Sequence, residues 1–214
     1  MTSDETSGAR LRALAVTTGV LTAVWVGVLI DGFRPGAVVP VLLPVLLAAA
    51  PFALPAERRP LADTVAAAVV TIAMVATFTD AGMHYLPMVL LLWATVIVPR
   101  RMRQPHGPVA VRLLHLAAGL LVALPGLVSI GGIDKEMISL TDAGVLYILL
   151  PIGLGAMCAF QLRVGYTAVA LFGTVAMFAA LLDGGFLFLA FWWFGGLYLT
   201  VGAVGRVASP LRKI

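Results

Sequence analysis

Long runs of apolar residues alternate along the chain with short breaks of charge, proline and glycine. Eight apolar segments can be marked, at approximately 13–30, 36–54, 62–79, 84–99, 110–130, 143–161, 164–182 and 185–205. Most approach the roughly 20 residues that carry a helix across a hydrocarbon core about 30 Å thick. The fourth is the weakest, because its wholly apolar part begins only at Leu86. A re-entrant course is therefore open for it, and charge has to decide.

With the N-terminus inside, the cytoplasmic side collects Arg10, Arg12, Arg58, Arg59, Arg100, Arg101, Arg103, Arg112, Arg163, Arg206, Arg212 and Lys213. Only Arg34 and Lys135 fall outside. This asymmetry is the signature of cytoplasmic loops rich in Lys and Arg. Were the fourth segment not to cross, Arg100, Arg101 and Arg103 would lie outside and the later loops would invert. The expected fold is all-α: a polytopic transmembrane helix bundle of about eight spans, both termini cytoplasmic. Residues 1–12 read as a short polar tail, 13–205 as one transmembrane domain and 206–214 as a basic tail. The first apolar run, Ala13 to Ile30, is about 27 Å long as a helix, and no small-x-small cleavage site follows it. It reads as an uncleaved span.

Composition agrees. Of 214 residues, 61% are apolar and 11% charged, against about 25% charged in a soluble domain. Lipid is the solvent that suits so much apolar surface, and the expected location is the cell (plasma) membrane, crossed several times. The net charge of +4 comes with no basic stripe interleaved with aromatics, so nucleic acid is not an expected partner. The single cysteine, Cys158, excludes an intramolecular disulfide and an iron–sulfur cluster.

Four outer connections resemble one another: IDGF at 30–33, TDAGM at 79–83, TDAGV at 141–145 and LDGGF at 182–186. Aspartate followed closely by glycine is good turn chemistry. The recurrence is compatible with a four-plus-four duplication and more simply with repeated helical corners, where so short a motif recurs by chance.

Catalytic motifs are missing. There is no His-Glu-x-x-His pair, no Gly-x-Ser-x-Gly elbow and no phosphate-cradling glycine loop. His84, His106 and His115 do not pair at one depth for a haem, and no cofactor is expected. Every Asp, Glu, Lys and Arg lies at or near a span end, leaving His115 as the titratable group plainly inside a span, tyrosines apart. It reads as a helix–helix hydrogen-bonding residue or as a lining residue of a cavity.

Two regions carry candidate chemistry. At the outer face, Asp80 and His84 share a helix face if the third span continues through the corner. Asp31, Asp142 and Asp183 then complete a possible acidic or metal-binding set. The plainer reading makes Asp80 a turn residue and His84, with Tyr85 and Trp93, a headgroup anchor. In the second span, Pro40, Pro44 and Pro51 each remove a backbone hydrogen bond, as in the broken helices that line transporter sites. At about 100° per residue they fall on one stripe. Threonines of the neighbouring spans, Thr22, Thr71 and Thr77 among them, are expected partners for the freed carbonyls. Close packing is expected from Gly153, Gly155, Ala156 and Ala159 in one span and Gly195, Gly196, Gly202 and Gly205 in the last. Trp192, Trp193 and Phe194 sit mid-span, facing lipid or a ring-lined cavity.

The functional expectation is a non-enzymatic, transport-type membrane component, either a small permease or the membrane subunit of a larger assembly. The alternatives are a scaffold acting through partner contacts and a membrane enzyme at the outer face. Expected partners are membrane lipids and, in an assembly, another membrane subunit or a second copy.

Overall fold

A computed structural model describes residues 3–29, 35–77, 82–102, 107–133, 142–183 and 188–208. The elements are α1 (Ser3–Leu29), α2 (Pro35–Ala49) with a 3-10 turn (Ala50–Ala53), α3 (Arg59–Ala76), a second 3-10 turn (Gly82–Tyr85), α4 (Leu86–Met102), α5 (Pro108–Ile133), α6 (Asp142–Ala159), α7 (Arg163–Asp183) and α8 (Phe188–Ala208). The class is all-α, with no strand among the described residues.

Among the described residues, five helices are long and apolar enough to cross a membrane: Thr6–Val28, Arg59–Ala76, Gly82–Arg101, Pro108–Ile130 and Arg163–Leu182. Val41–Ala53 and Ile148–Ala159 are shorter apolar helices. The segment that looks weakest in sequence is the most interior of the five, with 67% of its window buried. The turn at Gly82–Tyr85 adds length in front of α4, where sequence shows only a break.

The chain divides into two compact units, Met1–Gln104 with Gly173–Thr200, and Pro105–Phe172 with Val201–Ile214. In the first, Ala15, Ala23 and Val26 of α1 pack with Val70 of α3 and with Met88, Leu91 and Leu92 of α4. Helix α2 joins this core through Val41, Pro44, Val45 and Ala48, an i, i+3, i+4, i+7 stripe. Its other face leaves Val39, Leu42, Leu43 and Leu46 exposed. In water such a face would be costly; against acyl chains it is neutral.

The proline stripe is not straight. Pro51 has no N–H to offer the carbonyl four residues back, and the helix tightens into the 3-10 turn at Ala50. Pro44 and Pro51 are buried even so, and Pro40 lies within α2. The threonines do not serve these kinks as expected. Thr22, Thr71 and Thr77 donate to the carbonyls of Thr18, Ala67 and Ala73 at 2.8, 2.6 and 2.8 Å, each within its own chain segment four residues back. The nearest acceptor in an apolar medium is the helix's own. What reaches α2 is the Tyr85 hydroxyl, which donates to the Val41 carbonyl at 2.6 Å.

In the second unit, α5 and α6 approach through glycine. A Cβ on Gly119 would lie 2.5 Å from the Gly155 carbonyl oxygen, and one on Gly155 would meet the Gly119 carbonyl in return. Ala123 and Ala159 complete the contact. Gly153, expected on this face, points to open space, because two residues along a helix turn the side chain by about 200°. Helix α6 ends in a cap formed by Leu162 N–H on the Met157 carbonyl, 3.0 Å, and Gln161 N–H on the Cys158 carbonyl, 2.9 Å. Gln161 adopts φ 61° there, a conformation that usually falls to glycine.

Candidate functional site

The first unit contains a cavity of about 160 Å³. Leu14, Thr18 and Leu21 of α1 form one wall, Met177, Phe178 and Leu181 of α7 the other, and Trp192 of α8 closes it. Its polar side chains are threonines, Thr17, Thr18 and Thr174, and no charged residue lines it. A compact drug-sized ligand needs roughly 300 Å³ or more. This space suits something slender or small.

Trp192 is fully buried, and its position follows from a polar constraint. A buried indole N–H left without an acceptor is expensive. Here it donates to the His84 carbonyl at 2.7 Å, while Trp193 donates to the Met83 carbonyl at 3.0 Å. Both acceptors lie in the 3-10 turn that precedes α4. That turn needs its glycine: Gly82 N–H closes on the Thr77 carbonyl at 2.8 Å, and a Cβ would lie 2.6 Å from the same oxygen. The apolar ring of Trp192 thus faces the cavity with its donor already satisfied.

This arrangement revises the outer-face candidates. Helix α3 ends at Ala76 with Thr77 as its cap, and a separate 3-10 turn begins at Gly82, so α3 itself does not carry through to His84. His84 and Tyr85 are 8% and 3% exposed, core residues rather than headgroup anchors. Trp93 also works inward, donating to the Thr71 hydroxyl at 3.0 Å and tying α4 to α3. Asp80 and Asp31 lie outside the described residues. Asp142 opens α6 and Asp183 closes α7, their side chains outside the description. Among the described residues no group of three His, Cys, Asp or Glu is placed to hold a metal.

Of the cavity candidates from sequence, Pro44, Pro51 and His115 are placed elsewhere, and the side chain of Pro40 lies outside the description. Pro44 and Pro51 are buried against the core, and neither lines the cavity, whose walls come from α1, α7 and α8. His115 of α5 belongs to the second unit, where its Nδ1 shares a hydrogen bond with the Tyr166 hydroxyl of α7. That hydroxyl also approaches the Cys158 carbonyl of α6 at 3.3 Å. The three helices are joined at one buried point, which matches the hydrogen-bonding reading of His115. Trp192 reverses the lipid-facing alternative, while Phe194 is exposed.

One pair was hidden in the loop-charge count. Arg12 of α1 grips Asp63 of α3 with two bonds, Nε to Oδ1 at 2.8 Å and Nη2 to Oδ2 at 2.5 Å. The side chains are only 7% and 5% exposed, and the Phe52 ring lies 5.3 Å from the guanidinium. A sequence signal existed: Asp63 is the only carboxylate inside any of the eight apolar segments. A charge there needs a partner at the same depth, and Arg12, at the edge of the first segment, supplies it.

Comparison with known protein families, with curated proteins and with solved structures finds no match to this chain.

Proposed function

We infer that this is a multi-pass plasma-membrane protein with eight crossings and both termini cytoplasmic, acting as a non-enzymatic, transport-type component. It is either a small permease or the membrane subunit of a larger assembly. The observation that carries the transport reading is the uncharged cavity bounded by α1, α7 and α8. The loop arginines support the eight crossings, since loss of the fourth would put Arg100, Arg101 and Arg103 outside and invert the later loops. Reporter fusions after Arg59, Arg103 and Arg163 should therefore read cytoplasmic, and those near Arg34, Met83, Lys135 and Gly184 external. An external reading after Arg103 rejects the topology.

Transport itself is tested in proteoliposomes. The pure protein should speed the passage of one class among three: ions read by conductance, hydrophilic solutes by isotope uptake, or fluorescent lipids by access of an impermeant quencher. Thr17→Trp, which places a large ring at the cavity wall, should abolish that passage. No acceleration for any class, from protein that remains folded, returns the chain to the scaffold reading. That second reading draws on α5, which exposes Val109, Leu113, Leu116, Leu120 and Leu124 along its length, a face suited to lipid, another membrane subunit or a second copy.

A further inference from the structure

We propose that the cavity between α1, α7 and α8 takes a flexible hydrocarbon chain, fatty-acyl or isoprenoid, entering sideways from the membrane. The proposal rests on the transport reading's site and names its substrate class. Depth comes first. Thr17 stands eleven residues from either end of the span Thr6–Val28, about 16 Å at 1.5 Å per residue and so near the middle of a core about 30 Å thick. Thr17 is exposed at mid-span, and Phe178, four residues from the end of the span Arg163–Leu182, is 52% exposed, so the mouth between α1 and α7 lies on the surface of the first unit and runs from the middle of the core toward one side of it. What a membrane presents within its hydrocarbon core is the chain of a lipid, not its headgroup and not a water-soluble solute.

The lining selects the same class. Beside the leucine, methionine and aromatic side chains stand only three threonine hydroxyls, which supply no countercharge for an ion and too few partners for the several hydroxyls of a sugar, so either would be desolvated with little compensation. The donor on Trp192 is used by the His84 carbonyl, so even the closed end presents only a ring. In size, about 160 Å³ compares with an engineered apolar cavity of about 150 Å³ that stays dry and binds benzene. A stretch of slender chain fits where a bulky, folded ligand does not.

The experiment uses the full chain, purified in detergent micelles. Two probes are added separately: a phosphatidylcholine and a polyprenyl phosphate, each with a diazirine midway along its chain. After illumination, peptides are read by mass spectrometry. Labelling at 14–21 and 174–181 should be saturable, falling about tenfold when the same lipid without diazirine is added in excess. Labelling of the exposed α3 face at Ile72 and Val75 should be left nearly unchanged. Thr17→Trp should lower the cavity labelling alone, and the competition arm gives the same decision without any variant. Saturable labelling by one probe only identifies the source of the chain. Cavity labelling that is absent, or that neither competitor nor variant reduces relative to the α3 face, overturns the proposal. Failed transport with saturable labelling sinks the transport reading and leaves chain binding; transport of an ion or hydrophilic solute without saturable labelling does the reverse.

Discussion

Asp63→Ala should lower the unfolding free energy by about 3–5 kcal/mol, the cost of leaving one member of a buried ion pair uncompensated. An exposed pair would lose only about 0–1 kcal/mol. Burial decides between these magnitudes, and Arg12 and Asp63 are almost completely enclosed. Two parallel bonds hold the guanidinium plane to the carboxylate, and a lysine ammonium cannot reproduce that fork. Arg12→Lys should therefore recover only part of what Arg12→Ala loses. Replacing both charges together, Arg12→Met with Asp63→Leu, should cost far less than Asp63→Ala, because no charge is then stranded. Thermal unfolding of the purified protein in one detergent gives the comparison. A double replacement as damaging as the single one would show that the pair contributes more than mutual compensation.

Glycine gives the second large contrast, within a single helix. Gly155→Ala pushes a methyl into the Gly119 backbone and Ala123, and neither can yield like the end of a flexible side chain. Overpacking of this kind costs about 1–3 kcal/mol. Gly153→Ala, two residues earlier, meets nothing within 4 Å and should gain about 0.5–1 kcal/mol from helix propensity. The melting temperatures should move in opposite directions. Gly119→Ala should resemble Gly155→Ala, and the double variant should cost less than their sum, since once the helices have separated the second methyl finds room. Equal effects at Gly153 and Gly155 would dismiss the close α5–α6 contact as a source of stability.

Helical class was legible because lipid imposes it: apolar runs of this length can satisfy their backbone only as helices. Which face of each helix turns inward was less legible, because a span that is apolar all round carries no stripe to read. Gly153 and Trp192 illustrate this, one placed inward by composition and found facing open space, the other left between lipid and a ring-lined cavity and found buried beside a cavity. The Arg12–Asp63 pair escaped because arginine near a span end has a sufficient explanation in topology. At the corner before α4 the break at Gly82 was legible and the burial of His84 and Tyr85 was not, for a local reason. The 3-10 turn at Gly82–Tyr85 restarts the chain's helical phase, so spacing across it loses its meaning. The cavity had no sequence signature, since it is made by shape alone, from leucines and threonines of ordinary type.

The two indole hydrogen bonds also bear on how the protein is made. The Trp192 bond to His84 joins positions 108 apart, and the Trp193 bond to Met83 joins positions 110 apart. At a synthesis rate of ~5–20 residues per second, α4 precedes its partner by ~5–20 s. During that interval the carbonyls of Met83 and His84 lack their indole donors, and the first unit lacks the Gly173–Thr200 segment that belongs to it. The end of the unit at this turn is therefore locked late, as the nascent α8 arrives, and a ribosome stalled before Phe188 would leave a first half whose α4 turn is still waiting for its clasp.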